Sequence, residues 1–256
     1  MDDSILSALL PAVDPTMVVF LIVIFLLAGI VKGFLGIGMP AAAMGLMTLI
    51  LPPTEAIALL WLPILATNAL QFAHATHKRE IASIYWLFAL ALIVSIFLTS
   101  MFIGHYPTAL LTVSIGIAMV VFSLNLLVGL TLPVGPGKGW QVGFGVLSGV
   151  LGGVSSIWSP TVAMYLVARN VDKERFIGAT GFLFLVSSIP LGAGEIIAGL
   201  ITVDVLLKSL IGLVAVLIGF RIGELLRGSV SQTQFRRVVL VAFLIMGVRL
   251  IAVGVY

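Results

Sequence analysis

Two short segments combine glycine or serine with a proline, and they lie 120 residues apart in this 256-residue chain. The first reads Gly-Phe-Leu-Gly-Ile-Gly-Met-Pro over 33–40, and the second Gly-Gly-Val-Ser-Ser-Ile-Trp-Ser-Pro over 152–160. Proline is favoured in the first turn of a helix because its missing N–H group has no intrahelical partner there. Each segment therefore predicts an irregular tip followed by a short helix. Two helix N-termini that face one cavity would present free N–H donors and positive dipole ends to an anion.

The candidate anion-binding residues come from the tips and from the third apolar run of each half. Lys32, one residue before the first tip, would add positive charge, and hydroxyl or amide groups of the third runs would donate hydrogen bonds to sulfonate-like oxygens. Trp158 would form a cavity wall, and Ser159 stands at a capping position. The full candidate set is Lys32, Gly33, Gly36, Gly38, Met39, Pro40, Asn68, Gln71, Ser155, Ser156, Trp158, Ser159, Pro160, Ser187 and Ser188.

Each of these features has a structural alternative. Gly29-x-x-x-Gly33 and its copy at Gly149 and Gly153 could let helices pack closely. Lys32 could extend to the membrane surface. The polar groups of the third runs could bond neighbouring helices, and Trp158 could lie at the membrane interface.

The composition requires that these segments lie in a membrane. The chain is 61% hydrophobic and 9% charged, with a mean hydropathy of +1.28, against about 25% charged residues in soluble domains. We therefore expect an all-α polytopic membrane protein whose surroundings are the lipid bilayer. A net charge of +3, spread over short loops, predicts membrane orientation and no nucleic-acid partner.

The same composition excludes several kinds of chemistry. Without cysteine there is no disulfide or thiolate site, and three scattered histidines do not predict a metal site or any other cofactor. The sequence has no Ser/His/Asp grouping, no H-E-x-x-H and no paired acids at membrane depth, so an enzyme is not expected. Glu195 is a candidate proton carrier, although a glutamate near a helix end could simply reach water.

Apolar runs and their punctuation indicate a duplication of five helical segments. The runs fall at 17–35, 40–51, 56–76, 82–103, 108–130, 139–154, 160–169, 175–200, 204–226 and 233–255. At an offset of 120 residues, Gly29, Gly33 and Pro40 coincide with Gly149, Gly153 and Pro160. We expect one integral membrane domain made of a first repeat, 1–130, and a second repeat, 131–256.

The loop charges predict that the two repeats have opposite orientations. Lys and Arg mark cytoplasmic loops, and the basic loop at 77–80 corresponds to 201–204, which carries no basic residue. This assignment puts most of the basic residues inside and both termini outside. Residues 1–15 carry acids but no basic residue, which predicts a retained N-terminus.

The lengths of the short runs predict re-entrant hairpins. The segments 40–51 and 160–169 would reach only about 18 Å and about 15 Å as helices, half of the hydrocarbon core. Each half would then begin with a broken or re-entrant hairpin. Because 17–35 is long enough to span, ten tilted crossings stay open as an alternative.

The glycine run Gly29-x-x-x-Gly33-x-x-Gly36-x-Gly38, its weaker copy at Gly149 and Gly153, and the duplication resemble the sulfite exporter TauE/SafE family, also called the TSUP permeases. The resemblance implies an inner-membrane permease for sulfite, thiosulfate or organosulfonates. In two places the chain departs from the family pattern: it has Met39-Pro40 where members often continue with glycine, and Ser156 and Trp158 replace two glycines of the second copy.

Together these observations predict a secondary transporter of a small sulfur oxyanion or an organosulfonate such as sulfoacetate or a taurine-related anion, with export as the favoured direction. Alternating access of inverted repeats would carry the anion across a bacterial inner membrane, and a Trp-walled pocket suits an organosulfonate at least as well as sulfite. An anion channel is the alternative. Association into a homodimer, the coupling ion and the direction of transport are left open by the sequence.

Overall fold

The fold is all-helical, as the apolar runs predict. The computed structural model describes residues 15–129, 133–135, 137–226, 229 and 231–256. Within these residues there are ten α-helices, one 3₁₀ turn (Ile103–His105) and no strand. The helices are α1 Pro15–Leu35, α2 Met39–Met47, α3 Pro53–Ala73, α4 Lys78–Ser100, α5 Thr108–Val128, α6 Lys138–Ser155, α7 Ser159–Ala168, α8 Lys173–Ile197, α9 Val203–Leu226 and α10 Gln232–Val255.

Each predicted apolar run coincides with one helix to within a few residues, so the ten-segment prediction is confirmed. Some predictions fall on residues outside the described part of the chain. These are the retained acidic N-terminus with Asp2, Asp3 and Asp14, the cytoplasmic Arg227, and the junction of the repeats at 130 and 131.

Seven of the described helices are long and apolar enough to cross a membrane: α1, α3, α4, α5, α8, α9 and α10. Their most apolar windows have mean hydropathies of 1.6 to 2.8. The protein is therefore a multi-pass membrane protein. Helices α2 and α7 have nine and ten residues and reach only about half of a hydrocarbon core.

The first helix of each half packs against the fourth helix of the other half, α1 on α9 and α6 on α4. Gly29 contacts Val216, and Gly149 contacts Ile96. At the repeat offset of 120 residues, Gly29 corresponds to Gly149 and Ile96 corresponds to Val216, so the two contacts are equivalent. A Cβ on Gly29 would collide with the Val216 carbonyl oxygen, and one on Gly149 would lie 2.8 Å from the Ile96 amide nitrogen. The GxxxG glycines thus serve close helix packing, the structural alternative stated above.

The remaining contacts repeat in the same way when the halves are exchanged. Helix α3 packs on its counterpart α8, and α5 packs on its counterpart α10. Helix α4 also packs on α8, and its counterpart α9 packs on α3. Pro63 inside α3 leaves the Leu59 carbonyl without its helical donor, and Ser209 of α9 donates to that oxygen at 2.8 Å. This bond ties α9 to α3 at the kink-prone position.

The two ends of the bundle differ in charge. We call the end that carries the starts of α4, α8 and α10 the basic end, with Lys78, Arg79, Lys173, Arg236 and Arg237. Arg175 and Glu80 form an ion pair there at 3.0 Å, which joins α8 to α4. At the opposite end Lys208 lies 2.7 Å from Asp204 and 3.4 Å from Glu55.

Replacing Gly149 by alanine should destabilise the fold, because the new methyl group would meet Ser95 and the α4 backbone. We expect a loss of about 1–3 kcal/mol in the free energy of unfolding, the usual effect of overpacking. Thermal denaturation of the purified protein in detergent measures it. The matched control is Gly143→Ala on the same helix, where a Cβ meets nothing within 4 Å. Equal melting temperatures for the two variants would contradict this packing.

Candidate functional site

The first tip reverses the chain with two glycines. The amide of Gly36 donates to the Lys32 carbonyl at 2.7 Å and closes the last turn of α1. Gly36 and Gly38 have φ angles of +83° and +93°, a backbone region in which a side chain would be strained. Pro40 then stands in the first turn of α2, where no amide hydrogen is needed.

The second tip makes a similar turn without glycine. Ser156 takes a φ of +55°, which is costly for a residue with a side chain. Ser155 supports the turn, because its hydroxyl accepts from the Ile157 amide at 3.1 Å and donates to the Leu151 carbonyl at 2.5 Å. Helix α7 then begins with Ser159 and Pro160.

Both tips line one small cavity. Its lining includes Gly38, Met39 and Pro40 from the first tip, and Trp158 and Ser159 from the second. Its volume is about 10 Å³, close to the minimum for one water molecule. In this conformation the cavity is therefore too small for a sulfur oxyanion, and binding requires it to widen.

Lys32 reaches this cavity from α1 and is only 3% exposed. Its Nζ donates to Thr67 Oγ1 at 3.0 Å and to Asn68 Oδ1 at 2.5 Å. Thr67 and Asn68 also donate to the Pro63 and Ile64 carbonyls of their own helix, at 2.6 and 2.8 Å. Lys32 is thus held inside the bundle and does not extend to its surface.

The Lys32 ammonium has neutral acceptors only. It makes no ion pair with any residue that the structure describes. A buried cation without a counterion is costly at membrane depth, and such groups mark functional sites. An anion in the cavity would supply the missing counterion.

On the second tip, polar atoms are buried without a hydrogen-bond partner among the described residues. They are Trp158 Nε1, Ser159 Oγ and Ser156 Oγ. Trp158 and Ser159 line the cavity, whereas Ser156 does not. A buried indole N–H usually finds an acceptor, and an unsatisfied buried donor costs about 1–3 kcal/mol. The Trp158 indole N–H, the Ser159 hydroxyl and the Lys32 ammonium can together bind one negatively charged group in the cavity.

The other walls of the cavity are apolar residues that sequence reasoning missed: Ile37, Ile64 and Phe184. The Phe184 ring lies edge-on to Trp158, with ring centroids 5.7 Å apart. Helical spacing could have found two of them, because Ile64 lies one turn before Asn68 and Phe184 one turn before Ser188. These three side chains add no hydrogen-bond acceptor to the cavity.

Several tip candidates lie away from the cavity. Gly33 packs against the Phe220 carbonyl of α9, and Gly36 lies beside the Ile177 side chain of α8. Ser155 is used in the turn, and Pro160 is buried in the first turn of α7 without lining the cavity.

The polar candidates of the third helices divide. Asn68 lines the cavity, whereas Gln71 donates to the Ile177 carbonyl at 2.8 Å and to Thr180 Oγ1 at 3.0 Å and so joins α3 to α8. Ser187 and Ser188 donate to carbonyls of their own helix at 3.2 and 2.8 Å. Neither serine lines the cavity in this conformation.

Glu195 is fully buried near the end of α8. Neither of its carboxyl oxygens has a hydrogen-bond partner in the described part of the chain. It does not line the cavity, and it forms no ion pair with Arg249 or with another described residue.

Seven membrane-crossing helices pack with two half-length helices, and a buried cation and unpartnered donors lie where the short helices begin, so the chain is a polytopic membrane protein with a polar interior. Residues 21–250 match the family described as sulfite exporter TauE/SafE, and the chain belongs to this family. The resemblance seen in the glycine pattern is confirmed. Members of the family are membrane transporters and not enzymes, so this protein is a transporter. No curated protein and no solved structure matches the chain significantly.

Replacing Ser159 by alanine should leave the fold as stable as the wild type while weakening anion binding. The Ser159 hydroxyl has no partner to lose in this conformation, so removing it removes a desolvation penalty. Thermal denaturation measures stability, and uptake of labelled sulfite into proteoliposomes measures function.

The matched control is Ser148→Ala. Ser148 Oγ lies 2.6 Å from Thr161 Oγ1, and losing that bond should cost about 1 kcal/mol. A Ser159→Ala protein that takes up sulfite as the wild type does would contradict a binding role for this hydroxyl, and one that melts well below the wild type would contradict its lack of a partner.

Proposed function

We propose that the protein is a secondary transporter of a small sulfur-containing anion and that the anion binds between the two helix tips. The class of substrate comes from the family, which is described as sulfite exporter TauE/SafE. The cavity between the tips supports the proposed position of the site. It is the place in the described bundle where an unpaired ammonium and unpartnered donors meet.

The observation that carries this proposal is the pairing of Lys32 with Trp158 and Ser159 around one cavity. Lys32 supplies a full charge from the first repeat, and the second repeat supplies neutral donors. The starts of α2 and α7 add backbone amides and the positive ends of two helix dipoles. The lining contains no carboxylate, which would repel an anion.

The apolar walls favour an organosulfonate at least as well as sulfite. Trp158, Phe184, Ile37 and Ile64 can contact a short carbon chain, while the oxygens of the sulfur group face the donors. Sulfoacetate and taurine-related anions have this division into a charged head and an apolar part. Sulfite is the smallest member of the class and needs the least widening.

We further propose that the repeats, 1–130 and 131–256, are inverted in the membrane and rock about the tips. The exchanged contacts support this, since α1 packs on α9 as α6 packs on α4. The positions of the ends support it too: α1 starts at the end where Glu55 and Lys208 pair, and α6 starts at the basic end. Such repeats expose one site alternately to the two sides.

The distribution of charge supports an orientation. The basic end would face the cytoplasm of a bacterial cell under the positive-inside rule, and both termini would then be extracytoplasmic. A membrane potential that is negative inside favours anion export by about 2.3 kcal/mol per charge per 100 mV. Export could thus proceed without a coupling ion. A homodimer stays a prediction.

The small closed cavity argues against the alternative of an anion channel. A channel needs a continuous path, and the two tips with their apolar walls leave space for about one water molecule. Saturable flux and counterflow would identify a transporter. Flux that rises linearly with concentration, without counterflow, would identify a channel.

Replacing Lys32 by methionine should raise the KM for sulfite by about 10- to 100-fold, the effect of losing a charge-assisted hydrogen bond of about 1.5–3 kcal/mol. Sulfite uptake into proteoliposomes measures it. The variant should fold, because methionine fills a similar volume and removes a buried charge.

Lys138→Met is the control, since Lys138 is an exposed lysine at the start of α6. Its KM should equal that of the wild type. A Lys32→Met protein with an unchanged KM would remove the ammonium from the binding site.

We also propose that Glu195 carries a proton during transport, because it is a fully buried carboxyl group without a partner among the described residues. Glu195→Gln should then keep sulfite counterflow but lose stimulation by an imposed pH gradient. The control is Glu224→Gln, in which a partly exposed carboxylate paired with Arg221 is lost. Gradient stimulation that survives in Glu195→Gln, or that is absent from the wild type, would refute this role.

A further inference from the structure

A second, larger cavity opens at the basic end of the bundle. It lies between the end of α1, the end of α5 and the starts of α8 and α10, and its volume is about 480 Å³. That volume is within the range of small-molecule sites. We call this cavity the vestibule and define it by Phe34, Leu126, Lys173, Arg237 and Leu240, which lie on its four helices.

Three cationic side chains line the vestibule: Lys173, Arg236 and Arg237. Arg236 donates to the Leu126 carbonyl, which joins α10 to α5. None of the three forms an ion pair with a residue that the structure describes. The vestibule therefore holds uncompensated positive charge.

The carboxylates at this end are engaged elsewhere. Glu80 and Asp172 both lie against Arg175, at 3.0 and 3.7 Å, and Glu224 lies 2.9 Å from Arg221. Glu174, the sequence neighbour of Lys173, accepts a hydrogen bond from Thr76 Oγ1 at 2.6 Å. No acidic residue occurs in the sequence from 225 to 256, which includes the whole of α10. The charge of the vestibule is thus a local feature and not the average of a mixed surface.

The floor of the vestibule is the first tip. Phe34 and Leu35 belong to the last turn of α1. Lys32 lies in the same turn and lines the small cavity between the two tips, which we call the central cavity. On the facing helix, Ile177 lines the vestibule and also lies beside Gly36. The vestibule and the central cavity are therefore separated by residues 34–37, and a movement of this tip would connect them.

The equivalent part of the α5 and α10 crossing, nearer the opposite end of the bundle, is closely packed. There α5 and α10 cross in close contact at Gly116 and Gly247, where a Cβ on Gly116 would lie 2.7 Å from the Gly247 carbonyl oxygen. At the repeat offset of 120 residues, these glycines correspond to Arg236 and Leu127. Both of these side chains line the vestibule. Two large residues thus line a cavity between α5 and α10 at the basic end, whereas the corresponding glycines let these helices touch nearer the other end.

We propose that the vestibule is a binding site for the transported anion at the basic end, in which Lys173, Arg236 and Arg237 bind the oxygens of the sulfonate or sulfite group. This inference rests on the proposed function and adds an access site to it. Guanidinium groups bind such oxygens in a bidentate manner, and Phe176 and Leu240 contact the apolar part of an organosulfonate. The cations raise the local anion concentration beside the tip that must move.

The test compares Lys173→Gln/Arg237→Gln with the wild type in proteoliposomes of known orientation. We leave Arg236 unchanged because it joins α10 to α5. When sulfite is supplied at the basic end, the KM should rise by about tenfold, because fewer cations concentrate the anion. The kcat should stay within about twofold and the salt dependence of KM should weaken. When sulfite is supplied at the opposite end, the KM should equal that of the wild type.

Arg221→Gln is the matched control. Arg221 is a cation at the same end that pairs with Glu224 and does not line the vestibule. If the double variant has the wild-type KM while Lys32→Met impairs transport, the vestibule is not a binding site and the proposed function still stands.

A second measurement does not depend on transport. The chain has no cysteine, so Thr233→Cys places a single thiol in the vestibule wall. Sulfoacetate, which does not react with maleimide, should slow labelling of this thiol, and Lys173→Gln/Arg237→Gln should remove the protection. A labelling rate that sulfoacetate leaves unchanged would overturn the proposal, whether or not the protein transports sulfite.

Anionic lipid headgroups share the chemistry of the proposed ligand, so the labelling is repeated in vesicles of phosphatidylcholine with and without phosphatidylglycerol. Protection by sulfoacetate in phosphatidylcholine alone supports a soluble anion. Protection that depends on phosphatidylglycerol and is insensitive to sulfoacetate would assign the vestibule to lipid and overturn the proposal.

Discussion

Lipid cannot satisfy an unpaired backbone group or a charge, and the rest of this structure depends on that constraint. The two tips interrupt the helical backbone inside the bundle, and Lys32 brings an ammonium group to the same place. All of these groups must be enclosed by protein. The spanning helices enclose them, and the glycines of α1 and α6 allow the enclosure by letting both helices lie directly against their partners.

The enclosed site is incompletely satisfied, and this links its energetics to transport. Lys32 has hydrogen-bond acceptors but no counterion, while Trp158 and Ser159 have donors without acceptors among the described residues. An anion would correct both deficits at once. The cavity must widen to admit it, so the differential binding free energy of the anion can favour a wider conformation. Binding and conformational change would then be coupled at the tips.

The sequence was sufficient for the helices, their order and the tips, because long apolar runs and proline-initiated starts depend on local chemistry. It was not sufficient to decide which polar residues line the central cavity. Gln71, Ser187 and Ser188 have suitable chemistry, but the rotation of each helix about its axis directs them to neighbouring carbonyls. The vestibule was also missed, because it depends on which α10 residue faces α5, and only tertiary packing decides that.

A crystal of the protein containing selenite, in which selenium replaces the sulfur of sulfite, gives the most direct test of the central claim. Anomalous scattering locates selenium without ambiguity about the ligand. We predict a peak between Lys32 Nζ and Ser159 Oγ, in a cavity wider than the present one, and a further peak in the vestibule is compatible with it. Selenite bound elsewhere in the bundle, with the space between the tips still closed, would contradict the account.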